Sequence, residues 1–157
     1  MYIISAIICV VLIVADQLSK YAALTHIKPV ETIPVIQNIF ALTFVENRGA
    51  AFGMFQGATI GFLIVTPLIL SAIIYYFVKL PYGRVYNFMR AALILVAAGA
   101  VGNFIDRLFR GYVIDFLHAT FINFPIFNLA DIFVVIGTTL LAVMLIFFIH
   151  DEPEIVK

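Results

Sequence analysis

With 157 residues, 64% of them apolar and only 11% charged, and a mean hydropathy of +1.15, the chain has too little polar surface for a soluble globular domain and reads as an integral membrane protein. Its formal net charge of zero argues against a nucleic-acid partner, and the lone Cys9 rules out an internal disulfide. The length holds about four spans of roughly 20 residues with modest loops, in one membrane-embedded domain over residues 1–157.

Residues 1–15 lack a basic start and a small-residue cleavage site, and bulky Ile8 precedes Cys9. The stretch is therefore read as part of a retained first span, about residues 3–25, and not as a removable leader. Asp16 and Lys20 lie inside this span at i, i+4 spacing, acid first, where they can neutralise each other on one face. Cys9 is read as a small buried hydrophobe. Residues 26–57 are mixed, carrying Pro29, Pro34, Lys28, Glu31, Glu46 and Arg48, and cannot cross a membrane. The β-friendly run 39–45 and the following Glu46-Asn47-Arg48-Gly49-Ala50-Ala51-Phe52-Gly53 predict short strands and a glycine-rich turn at the interface.

A second span is predicted over 58–78, 21 uncharged residues that make about 31 Å of helix, with Pro67 as a kink. Tyr75 and Tyr76 lead into Lys79, Arg84 and Arg90, an aromatic belt followed by a short, purely basic loop that marks the cytoplasmic side. The third span, about 88–108, then runs outward. The fourth, about 128–149, returns and leaves the acidic tail Asp151-Glu152-Pro153-Glu154, so both termini are expected in the cytoplasm and 26–57 outside. Asp16 with Lys20, Asp106 with Arg107, Asp115 and Asp131 all fall toward the extracytoplasmic end. Acids at membrane depth are costly unless paired, hydrated or used, which makes these four the functional candidates.

Each polar group also has a purely structural reading. Asn128 and Asp131 fit the N-cap and N3 positions of a helix beginning after Pro125. Asn103, Asp106 and Arg107, at i, i+3 and i+4, can form a self-satisfied polar patch that ends a span. Gly99 and Gly102 suit close helix packing. His26, His118 and His150 show no metal-site spacing, and Ser5, Ser19 and Ser71 have no suitably placed base, so neither a metal or other cofactor nor a serine nucleophile is expected. A transporter would show repeat symmetry or acids spread across the membrane depth, whereas here they cluster on one side. Two neighbouring aspartates that share one proton supply an acid and a base near neutral pH without a cofactor. Asp115 and Asp131, flanked by apolar and aromatic residues, suit that role best, and the residues alone leave Asp16 and Asp106 eligible.

Five segments together resemble the lipoprotein signal peptidases, or signal peptidase II, over nearly the whole chain. They are Asp16-Gln17-Leu18-Ser19-Lys20, the stretch from Glu46 to Gly53, Gly99-Ala100-Val101-Gly102-Asn103-Phe104-Ile105-Asp106-Arg107, Val113-Ile114-Asp115-Phe116, and Phe127-Asn128-Leu129-Ala130-Asp131. The resemblance implies an all-α integral membrane fold of four transmembrane helices with a small extracytoplasmic β-rich cradle and a mobile helical flap. It also implies an aspartic endopeptidase with Asp115 and Asp131 as the catalytic pair. Its substrates would be prolipoproteins whose cysteine already bears diacylglycerol, cut before that cysteine by a monomer working within membrane lipid. Asn47, Gly49, Asn103, Asp106, Arg107, Asn128 and Ala130 then fall to binding or support, and Asp16 with Lys20 to a buried structural pair. The connection between Asp115 and Asp131 looks short, which bears on the rim facing the flap and leaves the pair untouched.

Overall fold

The computed structural model describes residues 2–49 and 59–148. Four long helices and three strands follow one another as α1 (Tyr2–Ala22), β1 (Thr32–Ile36), β2 (Phe40–Asn47), α2 (Thr59–Lys79), α3 (Arg84–Arg110), β3 (Val113–Ala119) and α4 (Leu129–Phe147). Each helix is long and apolar enough to cross a bilayer. Most side chains of α1 and α2 are exposed and apolar, including Ile3, Ile7, Val11, Ile60, Ile64 and Leu68. Such a surface has lipid as its natural solvent, and the chain is a multi-pass membrane protein.

The expected spans agree with the helices to within one to four residues. The largest difference is at α3, which begins at Arg84, four residues ahead of the expected 88, because Arg84, Val85, Tyr86 and Asn87 already follow the helical path, Asn87 N donating to Gly83 O at 2.9 Å. Pro67 lies inside α2 and cannot bond the carbonyl of Leu63, while Ser71 Oγ donates to Pro67 O at 2.8 Å. The ends of the expected second and fourth spans at Ala58 and Ile149, the turn residues Ala50 to Gly53, His150 and the acidic tail lie outside the described residues.

All-α is too coarse a class for this fold. The strands form one antiparallel sheet in the order β1-β2-β3, and β3 enters it from the connection between α3 and α4. The strand expected at 39–45 is β2. Gly111, at φ 78°, ends α3 in a left-handed conformation that suits glycine and turns the chain directly into β3. Val45 is then paired with Asp115, and Asn47 with Val113. Below the sheet, α1 ends in a π-helical turn, Ala23–Ile27, whose Ala23 and Ile27 pack with Ile114 and Phe116 of β3 in a small apolar core.

α3 is the hub, packed most extensively on α4 and also on α1 and α2. Small residues make this approach possible. A Cβ on Gly99 would lie 2.7 Å from Val134 Cγ2, and one on Gly102 would lie 2.5 Å from Asp16 Oδ2. Close packing therefore explains Gly99, while Gly102 leaves the space in which a buried carboxylate sits.

Candidate active site

Two elements deliver the central acids. Asp115 projects from β3 and is only 2% exposed, and Asp131 is the third residue of α4. The chain between them is tied back on itself: Phe127 O accepts from Phe116 N and Leu117 N at 3.0 and 2.8 Å, and Phe127 N donates to Leu117 O at 3.1 Å. That bridge places Asn128 beside the strand it has just left.

Asn128 does two things at once. It caps α4 in a reciprocal box, its Oδ1 accepting from Asp131 N and its own N–H donating to Asp131 Oδ2, both at 3.0 Å. Its Nδ2 donates to Asp115 Oδ1 at 2.6 Å and to Asn103 Oδ1 at 3.1 Å. The structural reading of Asn128 and Asp131 as a cap and the reading as site residues are therefore compatible. Asn128 reaches both acids, and not only the Asp131 side for which its sequence position suits it.

Asn47 and Asn103 complete the cradle of amides. Asn47 Nδ2 donates to Asp115 Oδ2 at 2.8 Å while its Oδ1 accepts from Gly49 N at 2.9 Å. Asn103 Nδ2 donates to Asp131 Oδ1 at 2.8 Å. Arg107 extends from α3, donating to Gly49 O at 3.1 Å and stacking its guanidinium 4.4 Å from the centre of the Phe62 ring. Asn47, Asn103, Arg107, Asp115 and Asp131 line one cleft of about 520 Å³, whose apolar wall runs from Phe124 to Phe127 and along α4. A cleft with a few convergent polar groups in an apolar lining is the usual form of a ligand-binding or active site.

Behind the cleft lies a wholly buried ionic core. Lys20 Nζ is 2.9 Å from Asp16 Oδ2, 3.1 Å from Asp106 Oδ2 and 2.9 Å from Asn103 Oδ1. Asp16 Oδ1 accepts from Ala130 N at 2.9 Å, so Ala130 contributes its backbone. Asp106 also accepts from Arg110 Nη1 at 2.7 Å and from Ile114 N at 3.2 Å. Asp16 and Asp106 thus already hold cations and backbone donors and lie apart from the cleft lining, whereas Asp115 and Asp131 face it. Burial, followed by the neighbouring Asp131, pushes the Asp115 carboxyl from its ordinary value of 3.8 up to about 7, against the opposing pull of Asn47 and Asn128. An acid poised there can hold or release a proton near neutral pH.

Three contributors escape the sequence reading. Gln17 Nε2 donates to Asp16 Oδ2 and to Gly102 O, both at 3.1 Å. Arg110 pairs with Asp106, a partnership its i, i+4 spacing could have revealed. Phe62 under Arg107 leaves no local signal, because the contact joins α2 to α3.

The family described as "Signal peptidase (SPase) II" matches residues 8–147. The chain is 44% identical over 144 residues to a lipoprotein signal peptidase of Caldanaerobacter subterraneus subsp. tengcongensis, covering 90% of this chain and 96% of that protein. It is 47% identical over 137 residues to one of Clostridium acetobutylicum, covering 85% and 88%. A solved structure described as a bacterial membrane enzyme superposes with a TM-score of 0.85 at 38% identity, covering 98% of this chain and 94% of the other.

Proposed function

The chain belongs to the signal peptidase II family, whose members remove signal peptides from prolipoproteins, and we propose that it does so as an aspartic endopeptidase with Asp115 and Asp131 as its catalytic pair. The observation that carries this reading is the position of Asn128, whose one buried side chain bonds to Asp115 and to the backbone of Asp131, the two acids that line an apolar cleft. One carboxylate draws a proton from water and the other, protonated, polarises the scissile carbonyl. Asn47, Asn103 and Asn128 hold the carboxyls, and Arg107 with Gly49 suits the substrate backbone at the rim. Asp16, Lys20, Asp106 and the Ala130 amide hold the helices that carry the site.

The substrate on this reading is a precursor whose cleavage-site cysteine bears diacylglycerol, its acyl chains remaining in lipid while the cleft receives the peptide. The lipid sets the depth of the scissile bond, so its contribution is mainly positioning. The basic Lys79, Arg84 and Arg90 around the α2–α3 connection support cytoplasmic termini, with the cleft toward the opposite face.

The experiment that tests this is a comparison of initial rates for one precursor with and without the diacylglyceryl group, delivered in the same detergent at equal partitioning. Cleavage before the modified cysteine, with the unmodified form cut far more slowly, is the expected result. Equal rates would remove lipid recognition, and no cleavage of either form would remove the assigned activity.

A further inference from the structure

Among the described residues, the ionic cluster at and behind the cleft holds four carboxyl groups, Asp16, Asp106, Asp115 and Asp131, and three cations, Lys20, Arg107 and Arg110. Lys20 bridges Asp16 and Asp106, Arg110 supplies the second cation for Asp106, and Arg107 lines the same cleft as Asp131 and Asp115. With every group charged, the cluster carries one net negative charge, and one bound proton makes it neutral. Asp16, Lys20 and Asp106 are wholly buried and Asp115 nearly so, and a net charge on buried groups is disfavoured, so the neutral count is the stable one. Of the other ionisable groups on or beside the sheet, Lys28 and Arg48 engage Glu46, and His118 engages Thr43.

The amides direct where that proton resides. Asn103 Oδ1 accepts from both Lys20 Nζ and Asn128 Nδ2, which fixes its Nδ2 as the donor to Asp131. Asp131 also takes the Asn128 N–H and sits in the first turn of α4, where the helix dipole favours a negative charge. Asp115, on a strand and almost wholly buried, has no such dipole behind it.

We propose that Lys20 is a positioning residue for the reaction, acting through the Asn103 amide and through the charge count of the cluster, so that the aspartate pair holds one proton, on Asp115, and keeps Asp131 ionised. This deepens the catalytic reading above and rests on it. In the resulting cycle Asp131 takes a proton from water as the water oxygen bonds to the scissile carbonyl carbon, and the Asp115 proton passes to the carbonyl oxygen. The gem-diol then collapses: Asp131 gives its proton to the departing nitrogen, a hydroxyl returns one to Asp115, and the C–N bond breaks. The pair ends in its starting protonation state.

The test is the pH dependence of kcat/KM on a diacylglyceryl-modified precursor peptide for the wild type, Lys20→Met, Asp16→Asn and the double variant. Lys20→Met leaves four acids and two cations, so a second proton binds and the acid limb should move up by about one pH unit, a tenfold loss on that limb. Asp16→Asn leaves three of each, so the basic limb should move down by a similar amount. The double variant restores a one-proton count, and both limbs should return even where the rate stays lower. A purely structural Lys20 would give unmoved limbs and a double variant worse than either single one, which would overturn the proposal. Should Lys20→Met not fold, Asp16→Asn against the double variant decides the same question. Asn103→Ala should shift the acid limb upward and Asn47→Ala the basic limb upward, and the reverse pairing would move the proton to Asp131. A wild type that cleaves normally while the variants' limbs stay fixed defeats only this inference, whereas a wild type inert on the precursor defeats the catalytic reading itself.

Discussion

Asn128 Nδ2 lies 2.6 Å from Asp115 Oδ1, and that same side chain accepts the first-turn N–H of α4 from Asp131. One residue therefore joins the strand that carries one acid to the helix that carries the other, and its removal would affect both helix stability and the alignment of the pair. These effects can be separated. Asn128→Ser and Asn128→Ala lose the same buried amide donor, but Ser keeps an N-cap oxygen, so Asn128→Ala should be the less stable of the two by about 1 kcal/mol. Both lose the Asp115 contact, and both should lose at least about tenfold in cleavage rate, an aligned amide hydrogen bond to a carboxyl group being worth about 1.5–3 kcal/mol. Thermal unfolding in detergent alongside kinetics distinguishes the two variants.

Asp115→Asn and Asp131→Asn should each lower cleavage by more than about a hundredfold while the protein stays folded, since an amide keeps the shape of the carboxyl but cannot cycle a proton. Turnover close to wild type in either variant would refute the pair. A chelator should leave the wild-type rate unchanged.

Asp115 also makes stability depend on pH. Its proton is held more tightly folded, to about pH 7, than at its ordinary value of 3.8, so the stability this group contributes is fully present below about pH 4 and is lost as the pH rises through 7. Asn at this position cannot ionise. The melting temperature of Asp115→Asn relative to wild type should therefore rise between pH 4 and pH 8, with each 1 kcal/mol appearing as about 2–4 °C in a chain of this size. A flat difference across that range would show that Asp115 does not bind its proton more tightly on folding.

Gly102→Ala should be far more damaging than its size suggests, because the added methyl meets the Asp16 carboxylate at 2.5 Å and disturbs an acid that Lys20, Gln17 and the Ala130 N–H all hold. A loss of about 1–3 kcal/mol is expected from overpacking alone. Gly61→Ala in α2, with nothing within 4 Å of the new Cβ, is the matched control and should be neutral or stabilising.

Reporter fusions give the topology directly. Fusions at Gly83 should report the cytoplasm, and those near Gln37 and His118 the opposite side. Inverted signals would put the cleft on the wrong face for exported precursors.

The helices were legible because an uncharged run of about 20 residues has few folded alternatives in a protein this apolar. The four acids were legible for the complementary reason, that charge in such runs demands an account. β3 was hidden: Val113–Ala119 is a short apolar stretch broken by Asp115, and its strand character comes from pairing with β2, far away in sequence. The amide roles were hidden for a related reason. Spacing locates Asn47, Asn103 and Asn128, but which end of each amide faces an acid depends on Gly49 N, on Lys20 and on Asp131 N, groups supplied by three different parts of the fold.

The bridge between Leu117 and Phe127 has a mechanical consequence. A bilayer that thins or thickens is met by helix tilt, and tilt would ordinarily shear a group on α4 past one on a neighbouring strand. Here the chain entering α4 is tethered to β3 by the N–H and C=O of Phe127 and by the Asn128 side chain on Asp115, so the strand and the helix end move as one body. Hydrophobic mismatch can then alter the depth and angle at which the cleft meets the lipid surface while leaving the distance between Asp115 and Asp131 unchanged. The spacing between the acids is fixed to the protein, and lipid composition acts on where a peptide is presented to it.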